Sequence, residues 1–160
     1  MSLKITRIVS IVITLWIAKV FLSSIPYKFS NHPDTQHIFG TIGQWMSDTL
    51  FQGLGDFFAS KGAVLVGSAE IVASAILVAA LLFSILSALG KRTPNASLLF
   101  AVGGLFSSAI MAGAAFFHLF TPLGVEVLHE GKSDGGSLFY AAVSILVLGV
   151  VMALLNKKHI

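Results

Sequence analysis

Three ionisable side chains, Lys19, Glu70 and His118, lie inside long apolar stretches of the sequence. Charged groups are costly in hydrocarbon, so such residues normally face the interior of a helix bundle and find partners there. At about 1.5 Å of helix per residue, each lies roughly 6 to 12 Å from the end of its stretch. If the stretches cross a membrane in alternating directions, these three ends lie on the same side of it. The similar depths predict a Lys19–Glu70 ion pair, with His118 nearby on a third helix.

Two interpretations of this polar group compete. In the first, a buried ion pair fixes helix register and His118 reaches the membrane surface. In the second, the group lines a pocket that opens to the outer face and binds a lipophilic small molecule such as a quinone. A bis-histidine haem is less well supported, because only His118 lies within a span. His32 and His37 match no metal-ligand spacing, so we predict no metal site.

The apolar stretches decide the class of protein. Four of them are long enough to cross a hydrocarbon core of about 30 Å as helices, at residues 5–25, 63–89, 96–121 and 137–155. Hydrophobic residues make up 56% and charged residues only 11% of the 160 residues, which excludes an ordinary soluble domain. Because the runs do not alternate with polar residues, a membrane barrel is excluded too. We predict an all-α fold, a single four-helix transmembrane domain spanning residues 1–160.

The distribution of charge predicts the orientation. If the N-terminus is cytoplasmic, six cationic residues lie on the cytoplasmic side: Lys4, Arg7, Lys91, Arg92, Lys157 and Lys158. The acidic residues outside the spans fall on the opposite side: Asp34, Asp48, Asp56, Glu126, Glu130 and Asp134. By the positive-inside rule, both termini are cytoplasmic and the protein lies in a bacterial cytoplasmic membrane. The net charge of +3 then reflects membrane anchors rather than nucleic-acid binding.

The first outer loop carries an amphipathic pattern. Pro33 suits the first turn of a helix, with Asn31 or His32 as its cap. Apolar residues then recur at helical spacing as far as Leu50, and Trp45 is placed for the headgroup region. We therefore predict an extra amphipathic helix in the outer interface. A second apolar group is expected to continue it past Gly53 and Gly55: Leu54, Phe57 and Phe58.

Small residues mark the packed faces of two spans, since they allow helices to approach closely. One face of the second span carries Ala63, Gly67, Glu70 and Ser74. One face of the third carries Gly104, Ser107, Ser108, Met111, Ala115 and His118. Between these spans, Gly90 is placed to end one helix and Asn95 to cap the next.

Several segments together resemble DoxX-like membrane proteins. The most specific is Ile25-Pro26-Tyr27-Lys28-Phe29-Ser30-Asn31-His32-Pro33-Asp34-Thr35, which continues into Ile38-Phe39-Gly40-Thr41-Ile42-Gly43. The match extends over nearly the whole chain through three further features: Gly67 with Glu70, His118, and Asp134-Gly135-Gly136-Ser137-Leu138-Phe139. The resemblance implies a four-helix bundle and a link to thiosulfate:quinone oxidoreduction or membrane redox assemblies. With the matched positions included, the candidate pocket residues are Lys19, Lys28, Glu70, His118 and Asp134.

Three functions remain open at this point. The first is an accessory or ligand-binding subunit of a membrane assembly, which binds a membrane-protein partner, a second copy or a lipophilic small molecule. The second is a quinone-linked oxidoreductase component, and the third a small-solute transporter or channel. The sequence contains no cysteine, so thiolate and iron–sulfur chemistry are excluded for this chain. The chain alone is not expected to be an enzyme, and no cofactor is assigned.

Overall fold

A computed structural model describes residues 3–159, so residues 1, 2 and 160 of the predicted domain lie outside it. The fold is helical apart from one small hairpin. The elements in chain order are α1 (Leu3–Phe29), α2 (Pro33–Thr49), α3 (Gln52–Ala88), α4 (Ala96–Phe120), β1 (Leu128–His129), β2 (Lys132–Ser133), α5 (Ser137–Asn156) and a short 3-10 helix (Lys157–His159).

Four helices, α1, α3, α4 and α5, are long and apolar enough to cross a membrane, as the four apolar runs predict. Two of them extend beyond the predicted ends. Helix α1 continues through Pro26, which lacks only one N–H, and the Ser30 N–H donates to the Pro26 carbonyl at 3.0 Å. Helix α3 begins at Gln52 rather than near residue 63 and runs for 37 residues.

The early start of α3 corrects one prediction. The second apolar group belongs to α3 and does not continue α2, because helical structure is interrupted at Leu50 and Phe51. Its members are Leu54, Phe57 and Phe58. Gly55, which the prediction placed within the extended α2, instead permits close contact between α2 and α3. A Cβ on Gly43 would lie 2.7 Å from the Gly55 carbonyl oxygen, so the backbones of α2 and α3 touch there. The two helices form a tight antiparallel hairpin.

The small-residue faces pack as predicted. All six predicted positions on α4, from Gly104 to His118, are buried. A Cβ on Gly104 would lie 2.6 Å from the Gly149 carbonyl oxygen of α5, and Ser108 donates to the Leu146 carbonyl at 2.8 Å. On α3, Gly67, Glu70 and Ser74 are buried and Ala63 is half-buried.

The predicted helix ends are also confirmed. The Asn95 side chain accepts hydrogen bonds from the Ser97 and Leu98 backbone N–H groups at 3.0 and 3.3 Å. His32 caps α2, where its Nδ1 accepts from the Asp34 N–H at 3.3 Å. Gly90 has a φ of +76° just after the last residues of α3, a conformation that glycine adopts readily.

The hairpin between α4 and α5 was not predicted. Leu128 pairs with Ser133 and His129 with Lys132. The two residues between the strands, Glu130 and Gly131, both have positive φ, as the tight type I′ turn requires. The backbone N–H of Glu130 donates to the Asp34 carboxylate at 3.2 Å, which ties the hairpin to the start of α2.

The core of the bundle is apolar and its two ends differ. Ile17, Phe21, Leu77, Ile145 and Met152 are fully buried among the four long helices. At one end, the Asn156 side chain of α5 donates to the Ser10 hydroxyl of α1 at 2.8 Å. We call this the cationic end, because its segments contain Lys4, Arg7, Lys91, Arg92, Lys157 and Lys158. The other end, covered by α2 and the hairpin, is the α2 end.

Candidate functional site

An ion pair joins α1 to α3 near the α2 end. The Lys28 Nζ lies 2.7 Å from Oε2 and 2.9 Å from Oε1 of Glu70. The Glu70 side chain is 4% exposed and that of Lys28 is 15% exposed, so the carboxylate is buried and the ammonium is partly buried. Ser24, one turn before Lys28, accepts from Nζ at 2.7 Å and lies 2.8 Å from Glu70 Oε2. Lys28, Glu70 and Ser24 thus form one hydrogen-bonded group that joins two helices.

The predicted Lys19–Glu70 pair is therefore wrong, since Lys28 is the partner of Glu70. The prediction took Pro26 as the end of the helix, whereas α1 carries Lys28 within its last turn. Residues 19 and 28 are nine positions apart, which places them on opposite sides of a helix, about 180° apart. Lys28 instead shares the face of Phe21 and Ile17, both fully buried.

Lys19 lies at the exposed side of α1. Its Nζ is 5.7 Å from the ring centroid of Trp16, within the range of a cation–π interaction. Trp16 in turn donates from Nε1 to the Ser144 hydroxyl of α5 at 3.0 Å. Lys19 and Trp16 therefore mark the edge of the site between α1 and α5, away from the ion pair.

Gly67 explains how Lys28 can reach Glu70. A Cβ on Gly67 would lie 2.6 Å from a ring carbon of Phe29 and 3.3 Å from Cδ of Lys28. The last turn of α1 thus lies directly on α3, one turn before Glu70. A larger residue at position 67 would hold the two helices apart and lengthen the ion pair.

His118 is buried at the end of α4 and is fixed by the loop that follows. Its Nδ1 lies 2.6 Å from the Gly124 carbonyl oxygen, which can only accept, so Nδ1 carries the hydrogen. Its ring also packs against Phe139 in a T-shaped arrangement, with centroids 5.7 Å apart. In the neutral ring Nε2 is then a hydrogen-bond acceptor. No contact joins His118 to Lys28 or Glu70 in the described part of the chain.

A cavity of about 620 Å³ brings most of the candidate residues together. Its walls come from all five helices and are mainly apolar, with Ile38, Phe39 and Ile42 of α2 covering one side. The polar part of the wall consists of Lys19, Ser23, Ser24, Tyr27, Lys28, Asp34, Thr35, Glu70 and His118. This arrangement suits a largely apolar molecule with a polar head, since few polar groups converge on a hydrophobic space.

Asp134 lies outside the lining of the cavity and organises the loop before α5. Its carboxylate accepts from the Val127, Gly136 and Leu138 backbone N–H groups, each at 2.9 Å, and from the Ser137 hydroxyl at 3.2 Å. Partial burial opposes ionisation of Asp134, but these hydrogen bonds outweigh it and lower the pKa of the carboxyl below its usual value. In this structure Asp134 supports the fold beside the site.

Sequence reasoning missed Ser24, Tyr27 and Thr35. Thr35 donates to the Tyr27 carbonyl at 3.0 Å, which joins α2 to the end of α1 beside the ion pair. The spacing of Ser24 four residues before Lys28 is the signal that could have found it, because such residues share a helix face.

Among the side chains that the structure describes, no group of three or more histidine, aspartate or glutamate residues is arranged to hold a metal ion. Comparison of the chain with family models, with characterised proteins and with solved structures gives no match.

Proposed function

We propose that this chain is a DoxX-like integral protein of the bacterial cytoplasmic membrane that binds a lipophilic small molecule in the cavity at the α2 end. In this proposal it acts as an accessory or ligand-binding subunit of a membrane assembly, without catalysis of its own. The observation that carries the proposal is the largely buried Lys28–Glu70 pair in the wall of a mainly apolar cavity of about 620 Å³.

The surface of the bundle supports insertion in a membrane. Large apolar side chains are exposed on every long helix, among them Ile8, Val12, Leu82, Leu105 and Val147, which are 53 to 61% exposed. Exposed apolar area of this extent is unfavourable in water and favourable in hydrocarbon. In the proposed topology the cationic end is cytoplasmic, and α2 lies in the outer interface with Trp45 near the headgroups.

The chemistry of the cavity defines the ligand class. Lys28 and Glu70 neutralise each other, and the other two charged side chains of the wall, Lys19 and Asp34, have opposite signs. The cavity therefore presents no net charge that would require a charged ligand. Hydrogen-bonding groups remain around the pair, with the apolar side chains of α2 and α4 beside them. A neutral polar head with an apolar body fits this wall, because the head can exchange hydrogen bonds with the pair while the body is desolvated. A quinone is one molecule of this class, which keeps a quinone-linked redox component as the second proposal.

The ligand is tested by gentle extraction of the protein in its native lipids, followed by mass spectrometry of bound small molecules. We expect one lipophilic compound to copurify with wild-type protein. It should be lost from the Lys28→Met/Glu70→Leu double variant and kept in Lys61→Met, which removes an exposed lysine outside the cavity. Equal retention in both variants, or copurification of bulk lipid alone, would reject the cavity as a ligand site.

The topology has its own test, which benefits from the absence of native cysteine. Single cysteines replace Lys91 at the cationic end and Asn31 at the α2 end. In intact cells, an impermeant thiol reagent should label position 31 and leave position 91 unlabelled until the cells are opened. Labelling of position 91 in intact cells would reverse the orientation.

A further inference from the structure

A second cavity, of about 350 Å³, lies at the cationic end of the bundle. It is built from the start of α1, the end of α3, the loop before α4 and the end of α5. Its lining is predominantly polar and includes Thr6, Arg7, Ser84, Ser87, Thr93 and Ser97. It shares no lining residue with the cavity at the α2 end, so its chemistry is independent of the proposed function.

Two of its hydroxyl groups are buried donors. Thr6 is 3% exposed and Ser84 is 2% exposed, and both line the cavity. No side-chain hydrogen bond of either residue is seen among the described residues, and neither hydroxyl is sealed off from the cavity, since Ser74 carries the one sealed side-chain polar atom without a partner there. Buried polar groups are almost always hydrogen-bonded in proteins, so a group that occupies the cavity and accepts from both hydroxyls would be stabilised.

The charge of the cavity selects an anion. Arg7 carries a permanent positive charge and lies half-buried at the wall. None of the seven acidic residues is near it, since Glu70 lines the other cavity and the rest fall within residues 34–56 and 126–134. The amino end of α4, capped by Asn95, adds the partial positive charge of a helix start. Within residues 3–159, the cavity thus has a cation in its wall and no acidic side chain beside it.

We propose that this second cavity binds a phosphate group through Arg7, Thr6 and Ser84. A phosphate has several acceptor oxygens, so it can accept from a guanidinium and from hydroxyls on different helices at the same time. The cavity volume also exceeds what one phosphate fills, which leaves room for the glycerol part of an anionic lipid. The phosphate belongs either to such a lipid or to free inorganic phosphate.

Thermal unfolding followed by tryptophan fluorescence tests the proposal in a non-ionic detergent. The probes are inorganic phosphate and a short-chain phosphatidylglycerol, with phosphatidylcholine as the zwitterionic control and potassium chloride matching the ionic strength. A saturable rise in Tm with the lipid alone assigns the site to a lipid headgroup, and a rise with inorganic phosphate alone to the free ion. A rise with both shows that the phosphate group is sufficient. No saturable rise with either probe overturns the proposal.

Matched variants locate the effect. Arg7→Gln should weaken phosphate binding by about tenfold or more, because a charge-assisted hydrogen bond is lost. Lys4→Gln makes the same change in net charge at an exposed residue outside the cavity, and its binding should stay within about twofold of wild type. Equal weakening in the two variants would show a diffuse surface effect and reject the site.

Ser84→Ala tests the same site if Arg7→Gln fails to fold. Circular dichroism would reveal such a failure. This change removes one buried hydroxyl and leaves all charges in place, and we expect phosphate binding to weaken by about threefold or more. Unchanged binding in a folded Ser84→Ala variant would remove the buried hydroxyl from the site and reject the proposed ligand set.

Discussion

The two ends of the bundle hold their charges in different ways. At the α2 end the protein supplies both members of an ion pair, with Lys28 2.7 Å from Glu70. At the cationic end Arg7 lies beside hydroxyl groups, and the described segments around it contain no acidic side chain. A pair that is neutral as a whole favours a neutral ligand, whereas an uncompensated cation favours an anion. In our two proposals, the two cavities of the bundle therefore suit different classes of ligand.

The largest effect that would sharpen this comparison is expected at the ion pair. Lys28→Met and Glu70→Leu should each lower the free energy of unfolding by about 3–5 kcal/mol, because the remaining charge is stranded in the bundle. The double variant should recover most of that loss. Denaturation in detergent measures the effect, and Lys19→Met is the control, since Lys19 is exposed and lies over Trp16. If Lys19→Met lowered the free energy of unfolding as much as Lys28→Met, the predicted Lys19–Glu70 pair would be favoured again.

A smaller effect is expected where α2 meets α3, because this contact holds one wall of the cavity at the α2 end. Gly55→Ala would place a Cβ against the Gly43 carbonyl oxygen and the Ser47 side chain. We expect a loss of about 1–3 kcal/mol from overpacking, together with loss of the copurified ligand.

Gly40→Ala is the matched control for that contact, because no atom lies within 4 Å of the added Cβ. The better helix propensity of alanine should make this variant equal to wild type or more stable by up to about 1 kcal/mol. Phosphate binding at the cationic end should be unchanged in Gly40→Ala. If Gly55→Ala altered both sites equally, the two ends could not be treated as separate.

The smallest effect concerns Asp134, whose pKa is lower in the folded protein than its usual value. The stability that its hydrogen bonds contribute is therefore fully present above the ordinary aspartate pKa of about 4 and is lost as the pH falls through the folded value. Asp134→Ala should cost about 1 kcal/mol at pH 7, as for loss of a helix cap. Denaturation at pH 7 and near pH 3 should show the gap to wild type narrowing in acid. A gap of the same size at both pH values would mean that ionisation of Asp134 contributes nothing.

The four long helices follow from the sequence because length and continuous apolarity are local properties of the chain. The helix caps at His32 and Asn95 and the small-residue face of α4 are local too, and the structure confirms them. The ion pair needed one more step. Rotation about the helix, rather than depth, separates Lys28 from Lys19, and the buried positions Ile17 and Phe21 mark the face that Lys28 shares.

Other features depend on contacts between distant segments, which one sequence does not reveal. A glycine such as Gly55 is typical of a loop in isolation, and only the approach of Gly43 shows why it lies in a helix. The second cavity joins Thr6, Ser84 and Ser97 from three separate helices. Each of these residues is unremarkable alone, so the site emerges only when the helix ends are brought together.

Helix α3 has a mechanical consequence for the two sites. Glu70 and Ser84 lie 14 positions apart on this unbroken helix, about 21 Å along its axis and within about 40° of the same face. A sliding motion of α3 would therefore move a wall of both cavities together, as a rigid rod transmits displacement. Any such coupling must be reciprocal, so filling one cavity would change affinity in the other by the same factor in either direction. Identical phosphate affinity in wild type and in Lys28→Met/Glu70→Leu would show instead that α3 transmits no displacement between the two cavities.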